Sequence, residues 1–212
     1  MEEKRSAAPF VPKTTSLKTL STAAETCRGC DLYKFATQVV FGEGPRSARI
    51  LLVGEVPGDI EDRQGHPFVG PAGRLLDEAL VSAEIPRADT YLTNAVKHFK
   101  FTPRGKRRIH AKPHQLEIEA CEPWLLAELE VVKPEILVVL GATAAQALLG
   151  RAFRVTQHRG ASFESPHAPQ TFATVHPAAV LRAPEGERTQ SRQAFFADLA
   201  AVGKAYRALG PR

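Results

Sequence analysis

The chain has 212 residues, 43% hydrophobic and 24% charged, which suits one domain with a sizeable core and excludes wholesale disorder. No apolar run approaches the ~18 residues of a membrane span, the start Met1-Glu2-Glu3-Lys4-Arg5-Ser6 lacks the apolar stretch of a secretory signal, and three cysteines do not make a disulfide scaffold. The net charge of +5 is local: Lys97, Lys100, Arg104, Lys106, Arg107, Arg108 and Lys112 lie in one segment without an acid, and without those seven the chain stands at −2.

Residues 1–15 lack periodicity and read as a flexible tail, leaving 16–209 as a single domain. Leu17, Leu20 and Ala24 follow Ser16 at helical spacing and lead into Cys27. Residues 49–54 form a compact apolar run stopped by Gly54, the pattern of a buried parallel strand. A loop rich in Gly and Pro runs to Gly73, and Leu75, Leu76, Ala79 and Leu80 then mark an amphipathic helix. A second strand spans 90–96, the basic loop follows, and a helix covers 115–132 until Pro134. The third strand is 135–141, with a helix over 142–149. The fourth strand is 172–175, and a last helix covers 188–209.

Alternating strands and helices predict a three-layer α/β/α fold around a mainly parallel, four-stranded sheet. Ligands of such sheets bind beyond the carboxyl ends of the strands. Three segments lie there: 54–58, 94–98 and 176–177. The expectation is a soluble, cytoplasmic, bacterial-type protein, monomeric and without a membrane partner. Its basic segment suits a polyanion, nucleic acid before others, with a solvated loop as the plain alternative.

Gly54-Glu55-Val56-Pro57-Gly58-Asp59 turns sharply after a strand and presents N–H groups to a ligand beside two carboxylates. It is no phosphate loop, because the Gly-Lys-Ser/Thr ending is missing. Phe68, between Pro67 and Gly70, offers a flat face for stacking. Cys27-Arg28-Gly29-Cys30 reads as a redox pair, a zinc half-site or a cluster half-site; no thioredoxin-like strand precedes it, which disfavours the first. Cys121 supplies a third thiol. Asn94, at a strand end, carries one acceptor and two donors on its amide. Alone it would read as a turn cap, and His110 alone as a phosphate contact.

Taken in order, Gly54–Gly58, Pro67-Phe68-Val69-Gly70, Thr93-Asn94-Ala95-Val96-Lys97, Leu140–Ala145 and Val175-His176-Pro177 resemble the iron–sulfur uracil-DNA glycosylases related to family four. The resemblance covers about residues 25–207. Lys106-Arg107-Arg108-Ile109-His110 resembles the loop of the UdgX subgroup, whose members bond covalently to uracil-containing DNA. It implies a uracil-DNA glycosylase-like domain acting in DNA repair by base excision, nucleoid-associated when on DNA. Single-stranded DNA should serve at least as well as duplex, because flipping costs least there.

By the resemblance, Asn94 pairs with uracil N3–H and O4, and His176 bonds O2 as the base leaves. Val56, Gly58, Asp59 and Phe68 complete the uracil site. His110 attacks C1′ with Glu55 as its carboxylate partner. Lys106, Arg107, Arg108 and Arg182 hold phosphates, and Leu181 presses on the DNA. Cys27, Cys30, His98 and Cys121 are the implied ligands of a 4Fe-4S cluster; three thiolates and an imidazole also suit zinc. Val56 stands where the subgroup has glutamine and the family-four enzymes usually have glycine, so only a backbone N–H is offered there. The alternatives are a turning-over hydrolytic glycosylase and a DNA-binding module without chemistry.

Overall fold

The computed structural model describes residues 5–210. In chain order the elements are α1 (Leu17–Ala24), β1 (Ile50–Gly54), α2 (Asp59–Gln64), α3 (Pro71–Ser82), β2 (Thr90–Asn94), β3 (Phe101–Arg104), β4 (Arg107–His110), α4 (Gln115–Val132), β5 (Ile136–Leu140), α5 (Ala142–Leu149), α6 (Val155–His158), β6 (Ser162–Ser165), β7 (Ala168–Thr174), α7 (Pro177–Leu181) and α8 (Glu185–Ala208).

The main sheet runs β2-β1-β5-β7-β6, parallel except for β6, which pairs antiparallel with β7. It has five strands where four are expected. The fifth, Ser162-Phe163-Glu164-Ser165, is a polar edge strand with alternating exposure, so it has no apolar run to announce it. β1 and β5 are buried throughout, as parallel strands covered on both faces must be. Alternation divides them: Ile50 and Leu52 face Leu76, Leu80, Phe195 and Leu199 of α3 and α8, whereas Leu51 and Val53 face Leu125, Leu129 and Ala145 of α4 and α5. The chain leaves β1 toward β2 on one side and later returns to β5 on the other. That switch opens a crevice at the strands' carboxyl ends.

Two expectations are corrected. The basic loop is a hairpin: β3 and β4 pair antiparallel around Gly105-Lys106, with Gly105 at φ +58 in the first turn position. Within the expected flexible tail, Ala7 is 1% exposed and its N–H donates to Ala120 O at 2.7 Å. It packs on Gly29, where any Cβ would stand 2.6 Å from Ala7 N. Residues 1–4 of that tail lie outside the described residues. Among the described residues, no helix is long and apolar enough to cross a membrane.

Candidate active site

The carboxyl ends of β1 and β2 are in register, Gly54 beside Asn94. A Cβ on Gly54 would lie 2.4 Å from Asn94 Oδ1, 2.7 Å from Phe68 Cζ and 3.4 Å from His176 Nε2. Three side chains from three parts of the chain therefore close on one glycine. Around it is a pocket of about 410 Å³, within the range of small-molecule sites. Its lining includes Glu55, Val56, Gly58, Asp59, Phe68, Asn94, His110, His176 and Arg182, all singled out in the sequence. Leu181, expected to press on the DNA, lines it too, as does Glu61, which the sequence did not single out.

Each wall has a local cause. Phe68 sits at φ +58, a conformation that side chains resist, and its carbonyl would be 1.6 Å from a Cβ on Gly73. Only glycine at 73 lets this turn close. Glu61, 8% exposed, accepts the Gly70 N–H at 2.8 Å and ties α2 to the same turn. His176 caps α7: its Nδ1 accepts the Ala178 N–H at 3.2 Å. The neutral ring therefore carries its proton on Nε2, the nitrogen near Gly54. Burial, helped by Arg182 and His110, brings its pKa down to about 4. His176 is thus a neutral donor at physiological pH.

That shift has a measurable consequence. With a folded value near 4 against ~6.5 unfolded, the stabilisation is complete above the unfolded value and is lost as pH falls from 6.5 toward 4. It amounts to at most about 3 kcal/mol. Melting temperature should fall between pH 7.5 and pH 5, and less so in His176→Gln; an unchanged pH dependence in the variant contradicts the assignment.

Asn94 is 4% exposed and held from below. Lys97, expected in the basic patch, is 1% exposed and donates through Nζ to Asn94 O (2.8 Å), Thr93 Oγ1 (2.6 Å) and Glu128 Oε2 (2.5 Å). Glu128 is fully buried and also accepts from Gly42 N, Tyr91 Oη and Thr93 Oγ1, each at 3.0 Å. The sequence signal was an acid beside the core positions Leu125 and Leu129 of α4. Removing one partner of such a pair costs about 3–5 kcal/mol. Lys97→Met should therefore lower the melting temperature by about 6–20 °C, and Lys97→Met with Glu128→Met should recover part of that. A single variant melting like wild type would refute this account of the pair.

The hairpin brings His110 over the pocket, with Nε2 4.0 Å from Glu55 Oε1. Burial lowers the imidazole's pKa, although Glu55 opposes the shift. The ring is accordingly neutral at pH 7 with a lone pair available. Arg108, expected on phosphate, is turned inward instead. Its Nε meets Asp59 Oδ1 at 2.5 Å, its Nη1 meets Asp62 Oδ2 at 2.6 Å, and its guanidinium lies 5.2 Å from the Phe99 and Phe101 rings. Those acids fix it as the rivet between hairpin and α2. Asp59 remains ionised: burial works against its charge, but hydrogen bonds from Arg63 and Arg108 outweigh burial and lower its pKa. Lys100 likewise pairs with Glu117. Arg104, Lys106 and Arg107 stay exposed at the hairpin tip, and Arg182 stands exposed at the pocket rim.

Cys27, Cys30, His98 and Cys121 line one cavity beneath Ala7, with Lys97 and Trp124. All three thiols are buried and unpaired in disulfides. Burial raises Cys30 and pushes Cys121 up to about 12, and burial lowers His98 to about 4. Two donors point at sulfur: Trp124 Nε1 at 3.2 Å from Cys27 Sγ, and Lys97 N at 3.3 Å from Cys121 Sγ. Sulfurs that receive N–H groups in an apolar cavity, with a neutral imidazole beside them, suit metal-bound thiolates. Among the described residues, however, no three His, Cys, Asp or Glu side chains gather closely enough to hold a single metal ion.

The sequence matches the Uracil DNA glycosylase superfamily over residues 41–200. The Type-4 uracil-DNA glycosylase of Pyrobaculum aerophilum is 36% identical over 189 residues, covering 85% of this chain and 93% of the relative. That of Thermotoga maritima is 38% identical over 167 residues (78% and 83%), and that of Archaeoglobus fulgidus 36% over 185 residues (84% and 87%). With a match spanning most of its length and a pocket at the sheet's switch point, the chain belongs to the uracil-DNA glycosylase superfamily.

Proposed function

We propose that this protein excises uracil from DNA and is then captured by the sugar through His110. The observation that carries the reading is the placement of His110 Nε2 4.0 Å from Glu55 Oε1 over the pocket that Asn94, Phe68 and His176 also line. Uracil enters with its Watson–Crick edge on Asn94. The amide oxygen accepts N3–H and the amide nitrogen donates to O4; cytosine reverses both and leaves them unpaired. His176 donates Nε2–H to O2. As the glycosidic bond breaks, its electron pair goes to the base, and these fixed donors stabilise the resulting anion. C1′ is left as an electrophilic oxocarbenium ion.

A ring nitrogen of His110 gives its lone pair to C1′, forming a C1′–N bond. The proton on the other nitrogen passes to Glu55 or to solvent. The product is a neutral N-glycosyl imidazole. Imidazole leaves poorly, so the adduct persists, unlike the glycosyl esters formed by carboxylate nucleophiles. Lys106, Arg107 and Arg182 hold the flanking phosphates, a contribution that weakens with salt. The partner is uracil-containing DNA, single-stranded at least as readily as duplex.

Cys27, Cys30, His98 and Cys121 hold a 4Fe-4S cluster in this reading. The fit rests on three buried thiols and a neutral imidazole around one cavity, with N–H groups directed at two of the sulfurs. The cluster supplies a structural tie between the N-terminal segment, the start of the hairpin and α4. Brown colour with visible absorbance separates it from zinc.

A second reading, hydrolytic turnover, is favoured by Val56, which brings no amide to the pocket wall. One experiment separates the two. Wild-type protein is mixed with uracil-containing single-stranded DNA and run on a denaturing gel, with released uracil measured in parallel. A heat- and detergent-stable shifted band supports capture. Free uracil without a band supports turnover, and neither product means a binding module.

A further inference from the structure

Glu55 follows β1 and reaches across the switch point to the start of α5. Its two carboxylate oxygens have different partners. Oε1 faces His110 Nε2 at 4.0 Å, while Oε2 accepts a hydrogen bond from the Thr143 hydroxyl. Thr143 is the second residue of α5, 2% exposed, and is not among the residues lining the pocket. Its β-branch leaves few χ1 choices, so the hydroxyl is stiffly presented. Without that donor the Glu55 carboxylate turns about its terminal torsion, which is broad and soft. Few of its settings keep one oxygen toward His110.

We propose that Thr143 is a positioning residue: its hydroxyl anchors one oxygen of Glu55 so that the other stays turned to His110. The proposal rests on reading Glu55 as the partner of His110. It assigns Thr143 no contact with DNA. The prediction is a loss of rate without a loss of binding, repaired by any side chain that restores the hydroxyl.

The test uses the full chain under single-turnover conditions with a uracil-containing single-stranded oligonucleotide, following uracil release and adduct separately. Affinity is measured with an oligonucleotide carrying 2′-fluoro-2′-deoxyuridine, whose glycosidic bond resists cleavage. Thr143→Val keeps the shape and loses the donor; it should slow adduct formation by about 10- to 100-fold, the scale of a hydrogen bond to a charged group. Affinity should stay near wild type, and Thr143→Ser should restore most of the rate. Thr143→Ala removes the hydroxyl without placing a methyl against the carboxylate, and should match Val. In a Glu55→Gln background, Thr143→Val should slow whatever rate remains by much less than it does beside Glu55. Wild-type rate in Val and Ala overturns the proposal, as does a Ser variant as slow as Val, or equal slowing in both backgrounds. If wild-type protein releases uracil without forming an adduct, the capture reading fails and the role of Thr143 falls with it, an outcome distinct from wild-type protein that forms the adduct and a Val variant that forms it just as fast.

Discussion

His110→Ser should abolish the denaturation-stable adduct while uracil release continues. The groups on the base, Asn94 and His176, belong to β2 and to the cap of α7, so departure of uracil does not depend on the hairpin residue. What changes is the acceptor at C1′. Serine is too short to reach where the imidazole reaches, and its hydroxyl is a weak nucleophile without an adjacent base. Water fills the space beside Glu55 and takes the sugar instead. The variant should then release more than one equivalent of uracil and leave alkali-labile abasic sites, read on a denaturing gel after hot alkali. An adduct surviving in the serine variant would move the attachment to another side chain.

Asn94→Asp should lower uracil excision by about 10⁴-fold, the scale at which a site built to hydrogen-bond rejects the wrong pattern. The substitution is isosteric, and the backbone carbonyl of residue 94 still receives Lys97 Nζ, so the fold is spared. The amide donor to O4 becomes a second acceptor, set against an oxygen that carries growing negative charge as the base leaves. Single-turnover uracil release, beside a melting curve, checks this. A rate within tenfold of wild type would mean that the base is read elsewhere.

The fold was legible where apolar pattern and buried structure coincide. The helices read at 142–149 and 115–132 have the bounds observed for α5 and α4, and β1 and β5 fall on their runs of Ile, Leu and Val; β7 begins at Ala168, four residues before the strand read at 172–175, because Ala168-Pro169-Gln170-Thr171 carries no apolar run. β6 and the β3–β4 hairpin escaped because they are short, mostly polar or charged, and carry single apolar residues (Phe163, Phe101, Ile109) rather than a run. The pocket residues were legible as motifs after strand ends, and the structure gathers them in one cavity. The charge reading was coarser. Seven cations without an acid in sequence do not reveal that Lys97, Lys100 and Arg108 meet Glu128, Glu117 and the Asp59–Asp62 pair, since those partners lie 17 to 49 residues away along the chain. Thr143 lies within the Leu140–Ala145 string, but its pairing was invisible for the same reason: its partner Glu55 is 88 residues away.

The most direct test of the whole account is a crystal structure of the protein after reaction with a uracil-containing oligonucleotide. Continuous density between an imidazole nitrogen of His110 and C1′ of the sugar, with uracil gone from the bond, is the predicted result. A C1′ bonded to oxygen, with the His110 ring turned away from it, would contradict the account.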